Sequence, residues 1–331
     1  MNLNEQARQF LIRGALISDE ADIRAEKLTG GISSDIWRVD ADGRSFVLKQ
    51  ALPELRVSQH WEAPLSRNDN EVNWIREVAD ICPAAVPRVL YSEPGANMFA
   101  MEFLEGATWK EKLLQGDVDI NFASEVGEAL GKIHQSTANV KRVAAQFAVP
   151  ETFDALRVEP YIKATAKAHP DVAEPLLRLA EETLSAVQAL VHGDVSPKNI
   201  LVGPAGPVLL DAECAWYGEP AFDLAFCLNH LLLKCLVRRD KCEDYLAAFE
   251  VLHTTYLKQV DWEPAETIER RTARLLPALF LARIDGKSPV EYVTAEDDKA
   301  RVRQTALPYI QVSPTHLSEF RNSWVRNLKN D

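Results

Sequence analysis

Two aspartates and an asparagine at short, fixed spacing constrain this 331-residue chain more than any other feature. They lie in Val191-His192-Gly193-Asp194-Val195-Ser196-Pro197-Lys198-Asn199-Ile200-Leu201-Val202 and in Val208-Leu209-Leu210-Asp211-Ala212-Glu213, on either side of a Gly-Pro-Ala-Gly turn. Asp194, Asn199 and Asp211 thus form one compact constellation. Phosphoryl transfer needs a carboxylate to orient and deprotonate an acceptor hydroxyl, plus oxygen ligands for the Mg²⁺ that neutralises nucleotide phosphates. Asp194 suits the first role, and Asn199 and Asp211 suit the second.

Composition narrows the remaining classes. With 37 basic and 49 acidic residues the formal charge is −12, so no basic stripe is offered to nucleic-acid phosphates or to an anionic membrane. At 47% hydrophobic and 26% charged residues the chain is an ordinary globular protein of one large domain or two lobes. Residues 1–17 carry Glu5, Arg8 and Arg13 among their apolar positions and do not read as an export signal. The apolar run Leu224–Val237 is interrupted by Asn229, His230 and Lys234 and is expected to be a buried helix. The five cysteines form no CxxC pair and no HExxH occurs, so reduced thiols in the cytoplasm are expected rather than zinc or disulfides.

Along the chain, Ile36–Val39 and Ser45–Lys49 around Ala41-Asp42-Gly43 predict a β-hairpin. A helix follows over 68–78, with Asp69 or Asn70 as its cap, and then strands at Arg88–Tyr91 and Met98–Leu104. Beyond Gly106 the apolar spacing turns helical, interrupted by strand-like runs at 199–202 and 207–210. No repeat or low-complexity linker appears, so the change near Gly106 reads as a hinge within one two-lobed unit.

These residues resemble the aminoglycoside phosphotransferase and choline kinase branch of the protein-kinase-like superfamily, whose catalytic loop begins His-Gly-Asp. The resemblance runs from about Leu28 to Leu233. It implies an α+β, two-lobed protein-kinase-like fold: a small antiparallel β-sheet N-lobe over 1–105, and a larger, mainly helical C-lobe over 106–331 carrying the catalytic loop and acceptor site. Asp194 is then the catalytic aspartate, with Asn199 and Asp211 on Mg²⁺. In Asp211-Ala212-Glu213 an Asp-x-Glu replaces the protein-kinase DFG, placing Glu213 close to the metal, directly or through water. The resemblance also implies that Gly30, Gly31, Ser33 and Ser34 form the loop over the ATP phosphates, and that Lys49 grips the α- and β-phosphates. Glu71 on the following helix is its partner, with Glu77 as the second candidate. Backbone groups near Glu102 and Leu104 would take adenine. Asp223 would buttress the catalytic loop. Ser196 stands where protein kinases place a lysine, leaving Lys198 or a later residue to compensate.

Only twelve positions separate Asp211 from Asp223, too few for an activation segment that docks a peptide, so the expected acceptor is a small molecule bearing a hydroxyl. Family members phosphorylate aminoglycosides, choline, homoserine and methylthioribose. A pseudokinase or nucleotide-binding regulator is the alternative, and a protein kinase a further one. His192 reads as structural, and Cys214, with no basic neighbour in sequence, as a small buried side chain. Gly286-Lys287-Ser288 is not a Walker loop, because Leu281 occupies the position of its first glycine. Arg283 and Lys287 read as a solvated helix end, with a place in the acceptor site as the other possibility.

Overall fold

The computed structural model describes residues 5–28, 33–54 and 64–329. Helix α1 (Glu5–Arg13) precedes an antiparallel sheet of β1 (Arg24–Lys27), β2 (Ser34–Ala41) and β3 (Arg44–Ala51), followed by helix α2 (Arg67–Ile81), β4 (Val89–Ser92) and β5 (Met98–Glu102). The strand order is β1-β2-β3-β5-β4. The hairpin forms as expected, with Ile36 opposite Lys49 and the turn at Asp42 and Gly43 in left-handed conformations.

Period-two alternation on β3 sorts its side chains between two cores. Phe46 and Leu48 pack with Phe10 and Leu11 of α1 on one side. Val47 faces the other way, with Val72, Trp74 and Ile75 of α2. Lys49 shares Val47's face and so points at α2.

Of the boundaries that differ from expectation, two position the site. Helix α2 starts one residue earlier, at Arg67, and its N-cap is Ser66 rather than Asp69 or Asn70. Those two side chains are engaged elsewhere: Asp69 Oδ2 accepts from the Gly95 N–H, and Asn70 Nδ2 donates to the Ala215 carbonyl. Strand β5 stops at Glu102, leaving 103–107 as the connection to α3 (Trp109–Gln115). That connection is tied down where the Val202 N–H donates to the Ala107 carbonyl at 3.0 Å.

The rest is mainly helical. It comprises α4 (Ile120–Thr137), α5 (Lys141–Gln146), α6 (Pro150–Phe153), a π-helical segment (Asp154–Lys163), α7 (Ala164–Ala168) and α8 (Ala173–Ser185). After the segment 189–218 come α9 (Pro220–Val237), α10 (Cys242–Leu257), α11 (Ala265–Asp285), α12 (Glu296–Gln311) and α13 (Leu317–Lys329). Helix α9 has the length and hydropathy of a membrane span, yet every residue from Pro220 to Leu236 is buried in this chain's own core. Its apolar surface is therefore spent on packing against α10 and α11.

Candidate active site

Strand β6 (Ala189–Val191) pairs with β9 (Trp216–Gly218) and delivers His192 to a loop held from below by Asp223 of α9. The Asp223 carboxylate, fully buried, accepts the His192 N–H at 2.7 Å and the Gly193 N–H at 2.8 Å. This is the buttress expected of it. Gly193 has φ +81°, and a Cβ there would lie 2.9 Å from the Cys214 carbonyl oxygen, so the loop requires glycine at that point.

His192 is structural in detail. Its Nδ1 accepts the Asp194 N–H at 3.1 Å, which makes Nε2 the protonated nitrogen, donating to the Leu210 carbonyl at 3.1 Å. Burial pushes its pKa down, so the ring stays neutral and links the two halves of the constellation.

Asn199 closes the loop. Its Nδ2 donates to the Asp194 carbonyl at 3.1 Å. The hairpin of β7 (Ile200–Gly203) and β8 (Gly206–Leu209) then brings the chain back, so the Leu210 N–H donates to the Asn199 carbonyl at 2.9 Å. Asp211 follows at φ +67°, a left-handed conformation that aspartate tolerates better than most residues. It keeps 27% of its side chain exposed, the open side on which a cation could sit.

From the N-lobe, Lys49 Nζ pairs with Glu71 Oε2 at 2.7 Å and with Asp211 Oδ1. Burial alone would lower the lysine pKa, but Asp211, Glu71 and Glu213 raise it, so it stays charged. Burial pushes Glu71 up to about 7, with Lys49 opposing. Burial also works against Asp211, and Lys49 and Lys198 outweigh it, holding that carboxyl below the usual range. Glu77 points away and forms an ion pair with Arg142 at 2.6 Å, leaving Glu71 as the residue that meets Lys49.

Glu213 meets an arginine: its Oε2 accepts from Arg67 Nε at 3.1 Å. The same fully buried guanidinium donates from Nη2 to the Ser33 carbonyl at 2.7 Å, so Arg67 ties the end of the glycine-rich loop to the Asp211–Glu213 segment. Ser33 and Ser34 are buried there, whereas Gly30 and Gly31 lie outside the described residues. Glu102 turns its carboxylate outward to Arg88 at 3.1 Å, so only its backbone faces the interlobe connection. Leu104 follows beyond the ladder's last paired residue.

Sequence reasoning missed Arg157. It projects from the π-helical segment, pairs through Nη2 with Asp194 Oδ2 at 2.6 Å, and donates from Nε to the Gly193 carbonyl at 2.7 Å. Half-exposed Lys198 approaches the same Asp194 oxygen at 3.5 Å, beside the region that lacks the protein-kinase lysine. Arg157 also lies near Cys214 and favours its thiolate, but burial dominates and pushes that thiol well up. Arg283, expected at a solvated helix end, is buried: its Nη1 donates to Tyr161 Oη at 2.8 Å. Lys287 is nearer the surface, 3.6 Å from Glu159.

A five-stranded sheet carrying a lysine–glutamate pair, set over a helical lobe whose loop holds Asp194 and Asn199, defines a two-lobed protein-kinase-like fold. Within that class the chain belongs to the phosphotransferase enzyme family (APH), whose family model matches residues 24–254. It is 30% identical over 258 residues to a methylthioribose kinase of Pectobacterium carotovorum subsp. carotovorum, covering 69% of this chain and 64% of that protein. The chain thus spans less than two thirds of that relative's length. Two solved structures share the fold. Amicoumacin kinase hAmiN, in complex with AMP-PNP, Ca²⁺ and Ami, has a TM-score of 0.57 at 16% identity and 97% coverage of both chains. A choline kinase from Cryptosporidium parvum Iowa II has a TM-score of 0.52 at 13% identity, covering 98% of this chain and 95% of its own.

Proposed function

We propose that this chain is an ATP- and Mg²⁺-dependent kinase that transfers the γ-phosphoryl group to a hydroxyl of a small molecule. The observation that carries the reading is the continuous polar arrangement from Glu71 through Lys49 to Asp211, with Asn199 and Asp194 on the adjoining loop. Residues 1–105 then act as the nucleotide-gripping lobe and 106–331 as the lobe holding the catalytic loop and acceptor.

The donor set suits the nucleotide. Asn199 Oδ1 and the open side of Asp211 are hard oxygen donors of the kind Mg²⁺ takes. Among the described residues no three His, Cys, Asp or Glu side chains form a metal cage. An ion at Asp211 would draw its other ligands from phosphate and water. Glu213, held by Arg67, would act on that ion through water or by keeping Asp211 in place.

When bound, MgATP supplies the phosphoryl group and a stabilised leaving group. Lys49 would grip the α- and β-phosphates, Ser33 and Ser34 with Gly30 and Gly31 would cover them, and the backbone near Glu102 and Leu104 would take adenine. Asp194 would align the acceptor hydroxyl and receive its proton on a carboxylate oxygen. Arg157 holds that carboxylate in place, and Lys198 is positioned to neutralise charge on the moving phosphate. A pseudokinase usually lacks the lysine, the aspartate base or a metal ligand, and this chain retains a residue for each part. Its five free cysteines suit a reducing compartment such as the cytoplasm.

The test is ADP release from MgATP by the full chain across amino alcohols, sugars, aminoglycosides and hydroxy acids. Release stimulated by one chemical group supports the reading. Nucleotide binding without stimulated release by any compound would favour the regulator.

A further inference from the structure

Beside Asp194 and its partner Arg157 the C-lobe holds two further cations, Lys234 and Arg283, that the phosphoryl-transfer scheme does not use. Arg283 packs over Tyr161, with its guanidinium carbon 5.3 Å from the ring centroid, and Arg157 approaches the same ring at 5.9 Å. Tyr161 in turn meets Phe226 of α9, one helical turn before His230. His230 Nδ1 lies 3.3 Å from Tyr292 Oη, and Lys234, a turn further on, places Nζ 4.9 Å from the Tyr292 ring. One face of α9, the π-helical segment and the end of α11 thus converge on a basic, aromatic-walled region adjoining the catalytic loop.

Its positive charge is only partly compensated. Lys110 pairs with Glu291 and Arg157 with Asp194; Glu291 also acts on Lys234 and Arg283, but neither of these has a carboxylate within ion-pair distance among the described residues. Lys234 is 1% exposed and its Nζ has no hydrogen-bond acceptor among the described residues; His230 Nε2 and Arg283 Nε are likewise unpartnered there, while Arg283 Nη1 donates to Tyr161 Oη and to the Ser288 carbonyl. Buried ammonium and guanidinium groups are stable only with a counter-charge or full hydrogen bonding. Three elements would not gather such groups around an aromatic wall for a cationic or wholly apolar ligand.

We propose that this region binds the acceptor, and that the acceptor carries an anionic group, a carboxylate or a phosphate, held by Lys234 and Arg283 while its hydroxyl lies at Asp194. The assignment rests on the small-molecule kinase reading and gives it a substrate class. His230 supplies a neutral hydrogen bond to the same ligand, and Tyr161 and Tyr292 flank its carbon skeleton. A trimethylammonium or polyamine acceptor would meet like charge there.

The experiment is calorimetric binding and ADP release with the full chain, using matched probes: glycerate and other hydroxy acids, glycerol 3-phosphate and sugar phosphates, their neutral alcohols, and choline. The expected result is that anionic probes bind at least tenfold tighter than the neutral counterparts, and that Lys234→Met and Arg283→Gln each weaken them at least tenfold with unchanged affinity for ATP. The carboxylate and phosphate arms identify which group is read. Tighter binding of neutral or cationic probes, no binding of any anionic probe, or anionic binding untouched by both substitutions would overturn the proposal. Anionic binding without ADP release would uphold the site and sink the kinase reading instead. Thermal unfolding of each variant checks folding, and Lys234→Met removes a buried amine with no hydrogen-bond partner among the described residues, so lost binding there is not explained by lost structure.

Discussion

Lys49 Nζ joins Glu71 of α2, at 2.7 Å, to Asp211, two residues past β8, so one ammonium group connects the two lobes. Removing either carboxylate leaves a buried charge short of its partner.

Glu71→Gln is therefore expected to lower kcat/KM at least tenfold, about 1.4 kcal/mol of transition-state stabilisation, mainly by weakening ATP engagement. Glu77→Gln, which breaks only the surface pair with Arg142, is expected to leave turnover unchanged. Steady-state kinetics on both variants check this, and equal losses would contradict the assignment of Glu71.

Arg157 acts through Asp194 rather than on substrate. Its replacement by Gln is expected to reduce kcat about tenfold with little change in the KM for ATP, and Arg157→Lys to restore part of the loss by supplying charge without the fork. A change confined to KM for ATP would remove Arg157 from the positioning role.

Asp223→Asn keeps the shape but replaces a carboxylate that accepts two backbone N–H groups with an amide that can accept through one oxygen only. Losing one charge-assisted bond of this kind costs ~1.5–3 kcal/mol. Urea unfolding of the variant should show a loss of that size together with reduced turnover, and unchanged stability would mean the loop is held by other contacts.

Burial, with Lys110 adding to it, lowers the Lys234 pKa from 10.5 to about 7. Between about pH 7 and 10.5 the unfolded chain therefore binds more protons than the folded one at this site, so its contribution to stability rises with pH. Below pH 7 both states are protonated and the cost of burying the charge is fully present. The difference in thermal midpoint between wild type and Lys234→Met should accordingly narrow as pH rises from 7 to 9. A constant or widening gap would show that Lys234 does not titrate in this way.

The convergence of Asp194, Asn199 and Asp211 was legible because the chemistry proposed for them depends on polar residues at fixed short spacing, within one loop and one hairpin. The β2–β3 hairpin was legible from alternation and its Asp-Gly turn. Glu71 and Glu77 were not separable by type, but six residues along a helix is about 240° of rotation, so only one could face Lys49. Structure alone made that choice. Arg67, Arg157 and Lys234 escaped, and Arg283 was read first as a solvated helix end, because charged side chains default to solvent, and their neighbours are remote in sequence, as with Arg67 and Glu213 across 146 positions.

The central claim is that Asp194 is the residue on which phosphoryl transfer turns. Its most direct test is ADP release from MgATP by Asp194→Asn and wild type, with the compound that most stimulates the wild-type chain, alongside calorimetric ATP binding to both. Asp194→Asn is expected to lose stimulated release with ATP affinity largely retained. Residual turnover above about one tenth of wild type, a loss below ~1.4 kcal/mol, would contradict it.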